Sequence, residues 1–482
     1  MHQERMRMRA RLPTTTVHRV INSPIGALLD TPTVERLRLD RLPAELRLAR
    51  IAAAASLTAA AGVDEFFAAL GARPELGPRG MRRLERGLSG FARALVERDE
   101  VLGRWERAFW GDGWPPPRRE ELVELEMERR EKCGRVSHPT NLLGFLASEP
   151  TIPLASFAIP SPGEIVARWT REIADPDRLY TVPAEPPAIE RSRAVAGPAG
   201  FEYLLRFRSP SSFRADGPAY ARVYEPESLA PDAATFIYAS GPFSAGDQVG
   251  YWPEEEYMGR NLAAHGHRVA LLDLPGHGRR VLPGHYSGET YLGTAPEGLF
   301  RLHAAGALEM AVLVRWAREQ GARSVGVGGL GAGALVAQAV AGRCGRWPRS
   351  MRPDAVFLAA PTCRLDEVAW GGSLSRLIGL DRALPEAGWT REALAELRDL
   401  LDPPAEPAIS PENIFAMLGA EDTLLPCSLG KELMRRWRVP HENVTILPTG
   451  HFGLQMHLAR RSDAQLVVTR ALHRALHHRA AA

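Results

Sequence analysis

The sequence predicts an α/β fold, with a mostly parallel sheet covered by helices on both faces and a helical extension before it. The first observation is that short apolar segments alternate with helical segments from about residue 201 to the C-terminus. Alternation of this kind is typical of a parallel sheet whose strands are joined by helices. The second is that apolar residues before residue 190 recur at helical spacing. The chain has 482 residues, which is enough for two or three domains with a sizeable core.

Three regions are predicted along the chain. Residues 1–100 form an N-terminal helical extension, residues 101–190 form a helical segment and a connector that wraps the core, and residues 191–482 form the α/β domain. In the extension, RLRLDRLPAELRLARIAAAA spaces leucines for a helix, and we expect Pro43 to start or break it. The helices of the extension are interpreted as a packing layer, with a docking arm for a protein partner as the alternative.

Composition argues against several classes of function. The formal net charge is +3, from 60 basic and 57 acidic residues, so no nucleic-acid partner is expected. The most apolar run, IAAAASLTAAAG, is too short to span a membrane. The four cysteines show no paired spacing and the histidines show no ligand spacing. We therefore expect no disulfide framework, no metal site and no cofactor, and we predict a cytoplasmic protein.

The stretch SVGVGGLGAGALVAQ, residues 324–338, reads as a strand, a glycine-rich turn and the start of a helix. Gly326, Gly328 and Gly331 satisfy the G-x-G-x-x-G pattern of dinucleotide-binding turns. Two observations count against that function. About three strands precede the turn, whereas the fingerprint normally opens its domain, and the next strand, AVFLAAPT from Ala355, has no acidic residue at its end. Dinucleotide binding is kept as an alternative function of this turn, ranked after the first two that close this section.

The same stretch fits G-x-S-x-G, the pattern of a nucleophile elbow, over residues 329–333, with Gly331 where the serine belongs. Segments in the expected order surround it: ATFIYASGPFSAG and HRVALLDLPGHGRR before it, then FAMLGAEDTLLP with Asp422 and VTILPTGHFG with His451. Elbow, acid and histidine follow each other in the order used by α/β-hydrolases. The region therefore resembles the α/β-hydrolase superfamily, which implies that fold with a small helical lid over about residues 364–405.

A narrower resemblance extends from about residue 102 to the C-terminus. The segment FWGDGWPPPRREELVELEMERREKCGR from Phe109, the segment LFRLHAAGALEMAVLVRWAREQG from Leu299, and the pair Tyr251 and Trp252 are similar to the alpha/beta hydrolase domain-containing protein 18 family. That family carries a G-x-S-x-G-G elbow. This chain departs from the pattern at the serine itself, so the family's nucleophile does not carry over.

The resemblance implies the remaining parts of a hydrolytic site. His451 and Asp422 would pair as base and acid. The N–H of Ala332 would supply half of an oxyanion hole, and the N–H of Phe243 or Ser244 would supply the other half. A glycine at the elbow offers no side chain, so covalent catalysis from that position is excluded.

The predicted lid supplies the residues that are expected to line a ligand pocket. Trp370, Leu374 and Leu377 are expected to line a pocket for a small apolar or acyl ligand. The alternative is that these side chains only pack the lid onto the body of the domain. His277 and His285 are interpreted as loop residues.

Three mechanisms remain open without the serine. The chain is predicted first to be a degenerate hydrolase that binds a ligand or a protein partner. Second, an active hydrolase or lyase would use the histidine of the predicted pair as a general base, without a covalent step. Third, another nucleophile would serve, and the candidates for that role are Ser244, Ser287, Ser373, Ser375 and Cys344.

Overall fold

The computed structural model describes residues 11–12, 16–21, 23, 26, 31–111, 116–211, 217–230, 233–241, 253–460 and 462–480. The α-helices of these residues, numbered in chain order, are α1 (Thr16–Ile21), α2 (Pro32–Thr58), α3 (Val63–Leu70), α4 (Pro78–Trp110), α5 (Arg119–Ser137), α6 (Thr140–Leu143), α7 (Pro162–Ala174), α8 (Pro253–Ala264), α9 (Glu289–Gly293), α10 (Glu297–Glu319), α11 (Ala332–Arg343), α12 (Leu365–Gly371), α13 (Ser373–Ile378), α14 (Leu380–Glu386), α15 (Arg391–Ala395), α16 (Arg398–Leu401), α17 (Cys427–Arg436), α18 (His451–Arg460) and α19 (Ser462–Ala480). The strands are β1 (Ile189–Arg191), β2 (Val195–Gly197), β3 (Gly200–Phe207), β4 (Ala219–Glu225), β5 (Thr235–Gly241), β6 (Arg268–Leu272), β7 (Val325–Gly331), β8 (Ala355–Ala359), β9 (Ile414–Gly419) and β10 (Val444–Leu447).

All of these strands belong to one mixed sheet. Strands β6, β5, β7, β8, β9 and β10 lie side by side in that order and run parallel. Strand β4 pairs antiparallel with β6, and β3 pairs antiparallel with β4. The short strands β1 and β2 both pair antiparallel with β3. The predicted mostly parallel sheet is therefore confirmed.

Helices cover both faces of the sheet, as the sequence predicts. On one face, α10 and α11 pack their apolar residues against the central strands in the largest core cluster. On the other face, α8, α18 and α19 pack against a second cluster that includes Phe236, Tyr238 and Phe357. The central strands are buried on both faces, which explains why they read as continuous apolar runs rather than as alternating patterns.

The helices α2, α3 and α4 share a hydrophobic core. Their residues Ile51, Phe66 and Phe91 are buried together with Leu146 and Ile152. The expectation that Pro43 starts or breaks a helix is wrong, because α2 runs through it. Leu42 and Leu46 on either side are buried in the main core cluster, and that packing offsets the backbone hydrogen bond that proline removes.

A buried ionic cluster fastens α5 to the sheet. The Glu126 carboxylate accepts hydrogen bonds from the Trp105 indole at 2.7 Å and from Arg222 of β4 at 2.7 Å, and it pairs with Arg129 of its own helix. Burial by itself raises the pKa of Glu126, but the adjacent guanidinium groups outweigh that effect and hold the pKa well below its usual value.

None of the helices among the described residues combines the length and the apolar character that a membrane span requires.

Candidate active site

The site lies at the carboxyl ends of the parallel strands. Strand β5 ends at Gly241 and its neighbour β7 ends at Gly331, and these two glycines are directly paired across the sheet. Asp422 follows β9 and His451 follows β10, and both strands end at the same edge. Parallel strands bring their carboxyl ends to one edge of a sheet, so four segments far apart in the sequence meet here.

The predicted acid and base are joined by a hydrogen bond. The Nδ1 atom of His451 lies 2.7 Å from Oδ2 of Asp422, and both residues are buried. The other carboxylate oxygen of Asp422 accepts the N–H groups of Leu424 and Leu425, each at 2.9 Å. A carboxylate can only accept, so we assign the proton of the neutral imidazole to Nδ1, which leaves Nε2 as the basic atom. This is the arrangement that a general base requires.

Gly331 occupies a sharp turn between β7 and α11. Its φ of 57° and ψ of −122° lie where residues with a side chain are strained. A Cβ atom built on Gly331 would lie 3.6 Å from Nε2 of His451. The position therefore faces the imidazole, as the nucleophile of an elbow must. The same Cβ would also lie less than 3.0 Å from the carbonyl oxygen of Gly241, so that backbone carbonyl takes the space next to the missing side chain.

A second histidine borders the site. A Cβ built on Gly241 would lie 3.0 Å from Nε2 of His277 and 3.4 Å from the Cβ of Ala332. His277 is fully buried and its Nδ1 bonds the carbonyl of Pro275 at 2.9 Å, while its Nε2 has no hydrogen-bond partner among the residues that the structure describes. Burial lowers the pKa of His277 to about 4, so the ring is neutral and its Nε2 is an acceptor.

His277 lies in the loop after β6, as predicted, but its side chain is buried at the site. The motif D-x-P-G-H-G offered one signal, since it places a histidine among turn residues directly after a buried strand. His285, in contrast, is half-buried, and its Nδ1 lies 3.1 Å from the carbonyl oxygen of Pro283 in the same loop.

The residues proposed for the oxyanion hole are described only in part. Ala332 is the first residue of α11 and is buried beside Gly331, so its N–H belongs to the first turn of a helix and lacks a partner four residues earlier within it. Phe243 and Ser244 lie outside the described residues, as do Tyr251 and Trp252.

The predicted lid consists of the short helices α12 to α16. Helix α13 is fastened to the acid loop, because the N–H and Oγ of Ser373 donate to the carbonyl of Thr423 at 3.2 and 2.9 Å. Trp370, Leu374 and Leu377 are half-buried and pack against the main core cluster. This packing agrees with the alternative that the sequence analysis left open, and a role in ligand binding stays a prediction.

The described candidates for a substitute nucleophile are engaged elsewhere. Ser373 bonds Thr423, as above, Ser375 donates to the carbonyl of Ala369, and the Oγ of Ser287 accepts the N–H of Gly278 at 3.4 Å. Cys344 is fully buried, and burial raises the pKa of its thiol to about 11, which disfavours the reactive thiolate.

The glycines of the dinucleotide pattern serve packing. A Cβ on Gly326 would lie 2.8 Å from the Leu472 side chain, and one on Gly328 would lie 2.8 Å from the ring of Phe236. Both glycines are inside β7, so they make room for neighbouring side chains rather than open a phosphate-binding turn.

Comparisons with known proteins found similarity only among solved structures. No protein-family model matches the chain, and no curated protein matches it. An acetyl xylan esterase from Thermoanaerobacterium is similar in structure, with a TM-score of 0.44 and 16% identity over 66% of this chain and 96% of that one. A brefeldin A esterase described as a bacterial homologue of human hormone sensitive lipase has a TM-score of 0.36 and 18% identity, over 68% of this chain and 92% of that one.

The strand order identifies the architecture without those comparisons. Counted from β3, the strands lie side by side in the order 1-2-4-3-5-6-7-8. Of these eight strands, only the second, β4, runs antiparallel to the others. The turn that carries residue 331 follows the fifth of these strands, the acid follows the seventh and the histidine follows the eighth. The chain has the α/β-hydrolase fold.

Proposed function

We propose that this protein is a catalytically degenerate hydrolase that binds a small apolar or acyl ligand and forms no acyl-enzyme. One observation carries the proposal. The elbow turn holds Gly331 in front of His451, and the carbonyl oxygen of Gly241 lies against the space where a side chain would start.

The chemistry of acyl transfer is incomplete at this turn. A serine hydrolase needs an oxygen nucleophile whose proton passes to the histidine. Gly331 supplies no such atom, and the hydroxyls of the described candidates Ser287, Ser373 and Ser375 are already hydrogen-bonded to other residues of the protein. Without its serine, such a site keeps only about 10³- to 10⁴-fold catalysis over water, from binding and the oxyanion hole.

The polarity of the site also opposes the transition state of ester hydrolysis. An oxyanion requires hydrogen-bond donors that are fixed in advance. Here two acceptors, the carbonyl of Gly241 and Nε2 of His277, flank the end of β5 close to Ala332. Acceptors repel a developing negative charge. They suit a ligand that donates a hydrogen bond, such as an alcohol.

The apolar side chains of the predicted lid favour a ligand whose main part is apolar. Trp370, Leu374 and Leu377 are half-buried in helices α12 and α13, and α13 is tied to the loop of Asp422. A protein partner that docks on the helices of the extension is the other form of this proposal.

A second candidate function rests on the intact pair. Asp422 fixes His451 with Nε2 towards the vacant position, so the histidine could activate a water or remove a substrate proton. This would make the protein a serine-independent hydrolase or lyase. Dinucleotide binding has no comparable support, because the glycines of its pattern are buried in β7.

Two measurements on the full-length protein test the proposal. The first is treatment with an alkyl fluorophosphonate followed by intact mass spectrometry. We expect no adduct, and an adduct on any serine would identify a working nucleophile and overturn the proposal. The second is a titration with 1-octanol and with octanoate, followed through the imidazole NMR signals of His451 and His277. A saturable change with octanol supports ligand binding, and no change with either probe contradicts it.

A further inference from the structure

A carboxylate from the extension binds the helix that begins with the candidate base. Glu35 lies in the first turn of α2, and His451 is the first residue of α18. The Oε1 atom of Glu35 accepts the N–H of Phe452 at 3.2 Å, and its Oε2 accepts the N–H of Gly453 at 2.6 Å. Glu35 is 7% exposed, which is unusual for a glutamate on a helix near the chain's start.

One glycine makes room for this carboxylate. A Cβ on Gly450 would lie less than 3.0 Å from Oε1 of Glu35. A Cβ on Gly453 would be in ordinary contact with Oε2 of Glu35, at 3.5 Å, and its close approach would be to the Thr449 side chain. Gly450, directly before the histidine in the segment Thr-Gly-His-Phe-Gly, therefore admits Glu35.

A second contact follows one turn later on the same two helices. Arg38 donates from Nη2 to the Sδ of Met456 at 3.4 Å, and its guanidinium lies 5.9 Å from the centre of the Phe452 ring. Towards its other end, α2 is held by Arg50, which donates to the carbonyl of Gly284 at 2.8 Å and pairs with Glu289 at 3.4 Å. Helix α2 thus joins the helix of His451 to the segment that follows β6.

We infer that Glu35 is a positioning residue for His451, and that the extension therefore completes the site. The first N–H groups of a helix have no partner within it, and the positive end of the helix dipole favours a carboxylate there. Glu35 satisfies two of these groups in the turn that begins with His451. It thereby fixes the backbone from which the imidazole reaches Asp422.

This role depends on His451 being the working group of the proposed site, but its test does not depend on a ligand. The full-length protein, labelled with ¹⁵N, is compared as wild type, Glu35→Gln, Glu35→Ala and Glu45→Gln. Glu45 is an exposed glutamate of the same helix and serves as the matched control. The spectroscopic signature is the proton on Nδ1 of His451, assigned by its loss in His451→Gln, and the exchange rates of the Phe452 and Gly453 amides are measured alongside.

We expect a graded response. Glutamine can accept through one oxygen only, so Glu35→Gln should weaken the Nδ1–H signal, and Glu35→Ala should broaden or abolish it. The exchange of the two amides should rise roughly tenfold in Glu35→Ala, as the loss of a helix cap implies. Glu45→Gln should match wild type. If Glu35→Ala does not fold, Glu35→Gln decides the question through the same signals.

An unchanged Nδ1–H signal with unchanged amide exchange in both Glu35 variants would overturn the inference. Amide exchange that rises while the Nδ1–H signal stays sharp would also overturn it, because Glu35 would then be only a cap. The octanol titration is run on the same samples. If wild type binds no octanol but the Glu35 variants still lose the His451 signal, the ligand proposal fails and the positioning role stands.

Discussion

Gly241 and Gly331 are direct partners in neighbouring parallel strands, and the carbonyl of the first faces the missing side chain of the second. Either glycine alone would be an ordinary residue of a tight turn. Together they place a main-chain oxygen where a side chain at residue 331 would begin, next to His451.

The first prediction concerns this close approach. Gly331→Ala should be more destabilising than Gly321→Ala, which is also at positive φ, 86°, but has no atom within 4 Å of its Cβ. A positive φ strains an alanine at both positions, by roughly 1–2 kcal/mol in the left-handed α region. The clash with Gly241 should cost a further 1–3 kcal/mol, roughly the cost of overpacking a core. Urea unfolding of both variants measures the difference, and equal losses would show that the Gly241 carbonyl moves freely.

The second prediction separates the two tasks of Asp422. Its Oδ1 accepts the N–H groups of Leu424 and Leu425, while its Oδ2 holds His451. Asp422→Asn should keep the loop bonds and lose less than about 1 kcal/mol of unfolding free energy. Asp422→Ala leaves the buried N–H of Leu424 and the partly buried N–H of Leu425 without this acceptor and should lose about 2 kcal/mol or more. Both should lose the Nδ1–H signal of His451 by NMR, and a retained signal in Asp422→Ala would contradict the assigned pairing.

The third prediction tests the buried cluster that fastens the helical segment to the sheet. Glu126→Ala removes the buried carboxylate that Arg129 and Arg222 share, although Arg222 still pairs with Glu202, and it should cost about 3–5 kcal/mol. The control is Glu128→Ala, which removes a half-exposed pair with Arg104 and should cost at most about 1 kcal/mol. Urea unfolding compares them, and similar costs would mean that the cluster does not secure the segment.

The fourth prediction is a pH dependence. His303 is buried and its Nε2 lies 3.3 Å from the hydroxyl of Tyr291, and burial lowers its pKa from 6.5 to about 3. A lowered pKa gives stability that is present above pH 6.5 and is lost as the pH falls towards 3. Between pH 6 and 4, wild type should lose about 1.4 kcal/mol per pH unit more than His303→Leu does.

Other groups change the stability with pH in the opposite direction, but they are present in both proteins. Their effect therefore cancels when wild type is compared with His303→Leu. Burial raises the pKa of Asp273 and of Asp402 to about 7, so their contribution is lost as the pH rises, equally in both proteins. Unfolding curves at several pH values measure the two slopes. Parallel slopes would mean that His303 is protonated in the folded protein.

The sequence predicts most of the sheet because its strands are buried runs separated by clear turn signals. It also predicts a glycine turn after one strand and an acid and a histidine after two later strands, and the structure pairs Asp422 with His451. The expectation that Pro43 starts or breaks a helix is wrong, since local propensity gives no weight to the burial of Leu42 and Leu46.

Other features of the site need three-dimensional information. Glu35 is 417 positions from Phe452 and carries no local signal of a cap on another helix. The burial of His277 depends on elements packed around its loop, so its neutral state is invisible in the motif. The approach of Gly241 to Gly331 depends on backbone direction, which the residue types permit but do not dictate.

The turnover of short- and medium-chain acyl esters by wild type and His451→Ala, side by side, tests the central claim most directly. A degenerate hydrolase predicts that wild type is no faster than His451→Ala on every ester. Turnover by wild type that disappears in His451→Ala would show a serine-independent enzyme and would contradict the account.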